Sequence, residues 1–104
     1  TGRLGHADLA AGTNTSLYTV PANTFGIVTL SICNRGNSAI SVRVAVASAG
    51  TPALSEYVEY DVEVLAKGVL ERSGIALAAG QILVVYSSAV NVSAVAMGIE
   101  TSTA

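Results

Sequence analysis

Catalysis needs nucleophiles, acids and bases within reach of one another, and this sequence offers few of them. His6 is the only histidine and Cys33 the only cysteine. A general base works on a group within hydrogen-bond distance, and the neighbours Gly5 and Ala7 supply neither a nucleophile nor a second acid. A metal would require further ligands, so His6 reads as a surface or packing residue. A reactive thiol at Cys33 would want a base beside it, and the one imidazole lies far away in sequence. Cys33 therefore reads as a small buried hydrophobe, and a lone cysteine excludes an internal disulfide or a cysteine-based zinc site. No Ser/His/Asp arrangement, phosphate-cradling glycine loop, HExxH or CxxC motif is present. An enzyme is not expected, and no cofactor or metal is called for.

Two charged features remain. Glu59, Asp61 and Glu63 alternate along one stretch, with Glu56 just upstream. In a regular strand they share one face at roughly 7 Å spacing. Such a ladder is open to three readings: a solvated outer face that discourages wrong pairing, one side of salt bridges to a neighbouring subunit, or a calcium site completed by a loop carbonyl. The other feature is Asn34-Arg35-Gly36-Asn37, which reads as a tight hairpin turn with Gly36 at a positive-φ position and Arg35 at the tip. Arg35 is a candidate contact residue, as are Arg3 and Leu4 in the N-terminal segment.

The elements that must position these groups follow from pattern. Hydrophobic residues make up 51% of the 104 and charged residues only 12%, against about 25% charged in ordinary domains. Such a chain has to hide apolar surface in a core and in an interface. No run approaches the ~20 apolar residues of a spanning helix. The net charge of −2 and isoelectric point near 5.1 disfavour nucleic acid or an anionic membrane as partner. The opening residues lack the apolar stretch of a signal peptide, as they would if a leader had been removed.

Period-two alternation dominates. Val28, Leu30 and Ile32 oppose Ile27, Thr29 and Ser31. Ile40, Val42, Val44 and Val46 oppose Ser41, Arg43 and Ala45. Val58, Tyr60, Val62 and Val64 oppose Tyr57, Glu59, Asp61 and Glu63. Further strands are expected over Arg3–Leu9, Ser16–Val20, Val69–Arg72, Ile82–Ser87 and Asn91–Glu100. Turns rich in Gly, Asn and Pro separate them. About eight short strands at this spacing read as a sandwich, jelly roll or small barrel, and the expected fold is all-β, an antiparallel β-sandwich or jelly-roll-like arrangement. The expected organisation is an N-terminal arm or edge strand over residues 1–8 and a single sandwich domain over 9–104. An internal echo pairs Leu9–Gly12 with Leu65–Gly68 and Val20–Phe25 with Leu77–Ile82, as two related halves would. With aromatics at 5% and no Trp, the core is Val- and Ala-rich, and the sequence lacks the aromatic platform of a sugar-binding module.

Four stretches carry a family resemblance: Leu17-Tyr18-Thr19-Val20-Pro21-Ala22, Ser31-Ile32-Cys33-Asn34-Arg35-Gly36-Asn37, Val58-Glu59-Tyr60-Asp61 and Ile75-Ala76-Leu77-Ala78-Ala79-Gly80-Gln81. Together they resemble small virion structural proteins of tailed bacteriophages, over about Leu4 to Glu100. The chain departs from that pattern at Asn23 and Gln81, both in turns. The resemblance implies a β-sandwich on the phage particle, either a capsid decoration (cement) protein or a tail, baseplate or fibre component, and it carries over no catalytic residue. The expected partner is then the major capsid protein or another virion protein. The low charge adds the expectation of a homo-oligomer, a trimer suiting the three-fold junctions of a shell. A receptor- or carbohydrate-binding module is the remaining alternative.

Overall fold

The structure is a computed structural model that describes residues 2–103. It contains β1 (Gly2–Asp8), β2 (Thr13–Thr19), β3 (Thr24–Asn34), β4 (Ile40–Ala47), β5 (Tyr57–Val64), β6 (Val69–Leu77), β7 (Ile82–Ser87) and β8 (Val92–Ser102). One 3-10 turn, Leu54–Glu56, precedes β5. A first sheet has strand order β1-β8-β3-β6 and a second β2-β7-β4-β5. Each strand pairs antiparallel with its mirror image in the chain: β1 with β8, β2 with β7, β3 with β6, β4 with β5. The chain is thus one long hairpin, bent at the connection between β4 and β5 and rolled up. The β3–β8 and β4–β7 ladders close the roll. This nesting is the jelly roll, and the all-β sandwich expected from alternation is the fold observed.

The core forms where alternating side chains of both sheets meet. Val28, Leu30 and Ile32 of β3, Val42 and Val44 of β4, Leu83 and Val85 of β7, and Ala94 and Ala96 of β8 are essentially sequestered from water. Each large aliphatic among them contributes roughly 1.5–3 kcal/mol by leaving water. Small β8 residues opposite branched β3 residues let the sheets approach closely. Tyr18 crosses the sandwich from β2, its hydroxyl donating to Glu100 Oε2 of β8 at 2.6 Å. Burial, reinforced by the hydrogen bond and charge of Glu100, pushes this phenol above its ordinary range. Gly26 leaves room for the ring, since a Cβ there would lie 3.1 Å from the Tyr18 oxygen.

The turn at Asn34 differs from the sequence expectation. β3 and β4 belong to different sheets, so residues 35–39 cross between sheets rather than closing a hairpin. Gly36 is not among the positive-φ residues. The bend is held instead by the wholly buried Asn34 side chain. Its Nδ2 lies 2.9 Å from the Ser38 carbonyl and 3.2 Å from those of Val64 and Leu65. Its Oδ1 accepts from Gly36 N at 3.0 Å. The backbone N–H groups of Asn34 and Arg35 donate to Gly68 O (2.9 Å) and Asn91 O (2.8 Å). One amide therefore ties the β3–β4 crossing to the β5–β6 crossing.

The internal echo has a structural counterpart. Exchanging β1–β4 with β5–β8 turns the first sheet's order into the second's read backwards. In the matched turns, Asn23 (φ 55°) and Gly80 (φ 81°) take the same left-handed position. The turns also touch: Val20 N donates to Gln81 O and Gly80 N to Val20 O, both at 3.0 Å.

Leaving the carbonyls around Asn34 buried and unpaired is costly. Asn34→Ala is expected to lower unfolding free energy in urea by about 3 kcal/mol. Asn34→Asp, which keeps the shape but loses the donors, should be at least as damaging at neutral pH. A near-neutral Asn34→Asp would remove the clasp from this account.

Candidate functional site

The N-terminal residues set the first feature. Gly2–Asp8 is a strand at the edge of the first sheet, not a flexible arm; Thr1 lies outside the described residues. In a regular strand Arg3 and His6 would point to opposite faces. Here the register slips between Arg3 and Gly5, so that Leu4 is the extra residue. Such a bulge flips the phase. Leu4 packs against the core, while Arg3, opposite Met97, His6, opposite Val95, and Asp8, opposite Ser93, all face outward. Gly5 is required at the bulge because a Cβ there would overlap the Leu17 carbonyl of β2.

Arg35, presented by the Asn34 bend, reaches over to form an ion pair with Asp8. Arg3, His6, Ala7, Asp8, Arg35 and Ser93 line an open depression of about 300 Å³ on this face. Lys67 Nζ donates to the Arg35 carbonyl at 2.7 Å. Two of the predicted contact residues, Arg3 and Arg35, are thus brought together across more than thirty residues of sequence, and Leu4 is turned away. Sequence alternation could not reveal this, because the bulge that aligns Arg3 with His6 has no period-two signature.

Beside the depression the same sheet face becomes apolar. Ile27 lies opposite Ile99 on one side and Ala76 on the other. Phe25 and Met97 are 39% exposed, Ile27 49% and Ile99 59%. These are the outward residues of the two central strands, where a monomer would ordinarily carry polar side chains. Cys33, expected to be buried, also takes the outward phase of β3 and is half-buried there, opposite Ser93 and Val69.

The second sheet treats its outer face differently. Beyond Val44 the β4 ladder slips, and Ala45 and Ala47 join Val84 in a small second cluster flanked by Tyr57 and Ile82. The connection after β4 reaches over this face as far as β2, where a Cβ on Gly50 would lie 3.5 Å from Ser16 Oγ. Glu56 fixes that connection, accepting from Ala53 N at 2.8 Å and Ser48 N at 3.1 Å. These bonds hold its carboxyl below the usual range, Ala53 contributing most.

The acidic ladder expected on β5 does not exist as one face. Residues 60 and 61 stand opposite Arg43 alone, since Val42 pairs with Val62 and Val44 with Glu59. Asp61 occupies the left-handed region (φ 51°) that this bulge requires, which Asp tolerates better than most residues. Three carboxylates therefore go three ways. Glu59 pairs with Arg72 of β6 at 3.2 Å, bridging the two sheets at their open edge. Asp61 accepts from Arg43 Nε at 2.6 Å, and Glu63 stays exposed opposite Ser41. Arg43 also lies over the rings of Tyr60 and Tyr86, 4.3 and 4.5 Å from their centroids. The hydrogen bond to Asp61 raises the Arg43 pKa. Among the described residues no group of three or more His, Cys, Asp or Glu could hold a metal ion.

No protein-family model, curated protein or solved structure matches the chain. The candidate site therefore rests on its own geometry: an uncovered apolar strip bordered by a cationic corner on one face of the first sheet. It is a surface suited to contact.

The Asp61 bulge separates backbone demands from charge. Asp61→Asn, which keeps a residue tolerant of positive φ, should cost within about 1 kcal/mol, whereas Asp61→Val should cost about 2 kcal/mol or more. Equal effects in urea titrations would show that φ is not what constrains this position.

Proposed function

We propose that this protein is a structural component of a tailed-bacteriophage particle. In this reading it is a decoration, or cement, protein on the capsid surface, bound where major capsid protein subunits meet. The observation that carries the reading is the apolar strip Phe25, Ile27, Met97 and Ile99, uncovered in the middle of a four-stranded sheet. The sequence resemblance to small phage virion proteins supplies the kind of assembly.

The whole outer face of that sheet measures about 19 Å across four strands and about 36 Å along the longest, from strand spacing and rise. Its footprint is roughly 700 Å², and the strip, rather than the corner of Arg3 and Arg35, is the part that copies of the chain would cover. A second apolar surface lies along the β5 edge, where Val58 and Leu65 are 38% and 65% exposed. Two different apolar surfaces on one chain favour a head-to-tail contact, which closes into a ring when the rotation permits. A trimer built this way matches the three-fold junctions of a shell. Its stabilising action is linkage: a ligand that binds the assembled lattice and not free subunits shifts the equilibrium toward the lattice, and three attachment points reinforce one another. Catalysis has no part in this role.

Light scattering should give a trimer at micromolar concentration, and Ile27→Asp/Ile99→Asp should dissociate it without loss of β structure. Particles lacking the protein should assemble but break at lower temperature, and purified protein should restore resistance with a saturating dose. A wild-type monomer, or depleted particles as heat-resistant as complete ones, would contradict the reading. Depleted particles without tails or unable to adsorb would move the protein to the tail.

A further inference from the structure

The corner beside the apolar strip is charged in a way the rest of the chain is not. Arg3, Arg35 and Lys67, three of the five basic residues, gather there with only Asp8 of the seven acidic ones. The remaining two arginines, Arg43 and Arg72, are each paired with an acid, Asp61 and Glu59. Arg3 forms no ion pair among the described residues, and the side chains of Asp8 and Arg35 remain 74% and 45% exposed. On the same sheet face the next carboxylate is Glu71, opposite Ser31 on β6. It lies three strand spacings from β1, roughly 14 Å, which is beyond the ~10 Å Debye length at 0.1 M salt. Arg3 on β1 therefore has no carboxylate on this face nearer than Asp8.

We infer that the depression lined by Arg3, His6, Arg35 and Ser93 is a docking site for a carboxylate presented by a partner protein, an Asp or Glu side chain on an acidic segment. Three observations select this ligand. Asp8 already shows that Arg35 takes a carboxylate here, and the free Arg3 fork on the same rim suits a second one. Val95, which lines the depression beside His6, gives apolar contact to the segment carrying the acid. The site deepens the decoration reading by naming the chemistry of the partner's contact, and it rests on that reading only for the partner being a virion protein.

The test uses the isolated full chain, so it stands or fails independently of any particle. A fluorescein-labelled acidic peptide, six aspartates flanked by alanines, is titrated at low salt by anisotropy, with the six-asparagine peptide as control. The expected result is saturable binding of the aspartate peptide only, weakening as salt rises. Arg3→Gln should reduce affinity by about fivefold and Arg3→Gln/Arg35→Gln by more than tenfold, the scale of exposed charge pairs. Asp8→Asn should strengthen binding, because it frees Arg35 from its internal carboxylate. Glu63→Gln, which changes net charge equally but lies on the other sheet, should leave affinity unchanged. Equal gains from Asp8→Asn and Glu63→Gln would reduce the effect to overall charge and overturn the site. Binding of inorganic phosphate in preference to the peptide would overturn the carboxylate assignment. No difference between the aspartate and asparagine peptides would overturn it as well.

Discussion

A single buried amide governs how the two sheets are joined at one end of the sandwich. Asn34 ends β3 at the point where the chain must leave the first sheet for the second, and no helix or tight turn is there to satisfy the backbone. Its side chain takes up carbonyls from its own crossing and from the β5–β6 crossing. The two connections are thereby fixed relative to each other. Because Arg35 follows directly, the clasp also decides where that guanidinium emerges, and hence that it meets Asp8 on β1. A buried polar group of this kind adds little net stability when paired and is expensive when not. Its consequence is uniqueness of the crossing.

The rest of the architecture follows from bulges that change which face a residue occupies. The slip at Leu4 puts Arg3 and His6 side by side. The slip at Asp61 sends Glu59 to Arg72 and Asp61 to Arg43, so no row of like charges forms. On the second sheet the β4–β5 connection folds over the outer face and Glu56 ties it down. The first sheet has no such cover, and its central strands show Ile27 and Ile99 to water. This asymmetry between the two outer faces is the physical basis for assigning contact to one of them.

The core was legible in the sequence because unbroken alternation has one solution. Val28, Leu30 and Ile32 read as inward and are so. The other five strands and the echo of two halves were fainter, traced mainly by the Gly, Pro and Asn that mark the turns between them. What alternation could not show is where it breaks. Glu59, Asp61 and Glu63 look like a ladder until Asp61 adopts positive φ, a choice made by pairing with β4. Asn34 and Gly36 look like a hairpin because the sequence does not say that β3 and β4 lie in different sheets. The corner of Arg3 and Arg35 needed both the Leu4 bulge and the Asn34 bend, each a tertiary feature.

The central claim is that the bare face of the first sheet is the surface that the assembled protein covers, and Met97 reports on it directly. It is the only methionine, it is the member of the apolar strip that lies opposite Arg3, and it is 39% exposed in the single chain. Peroxide converts an accessible methionine to its sulfoxide, so the oxidation rate measures cover at this one point. Mass spectrometry should find Met97 oxidised readily in the dissociated Ile27→Asp/Ile99→Asp variant and strongly protected in the assembled wild-type protein. Equal oxidation rates in the two states would place the contact surface elsewhere and contradict the account.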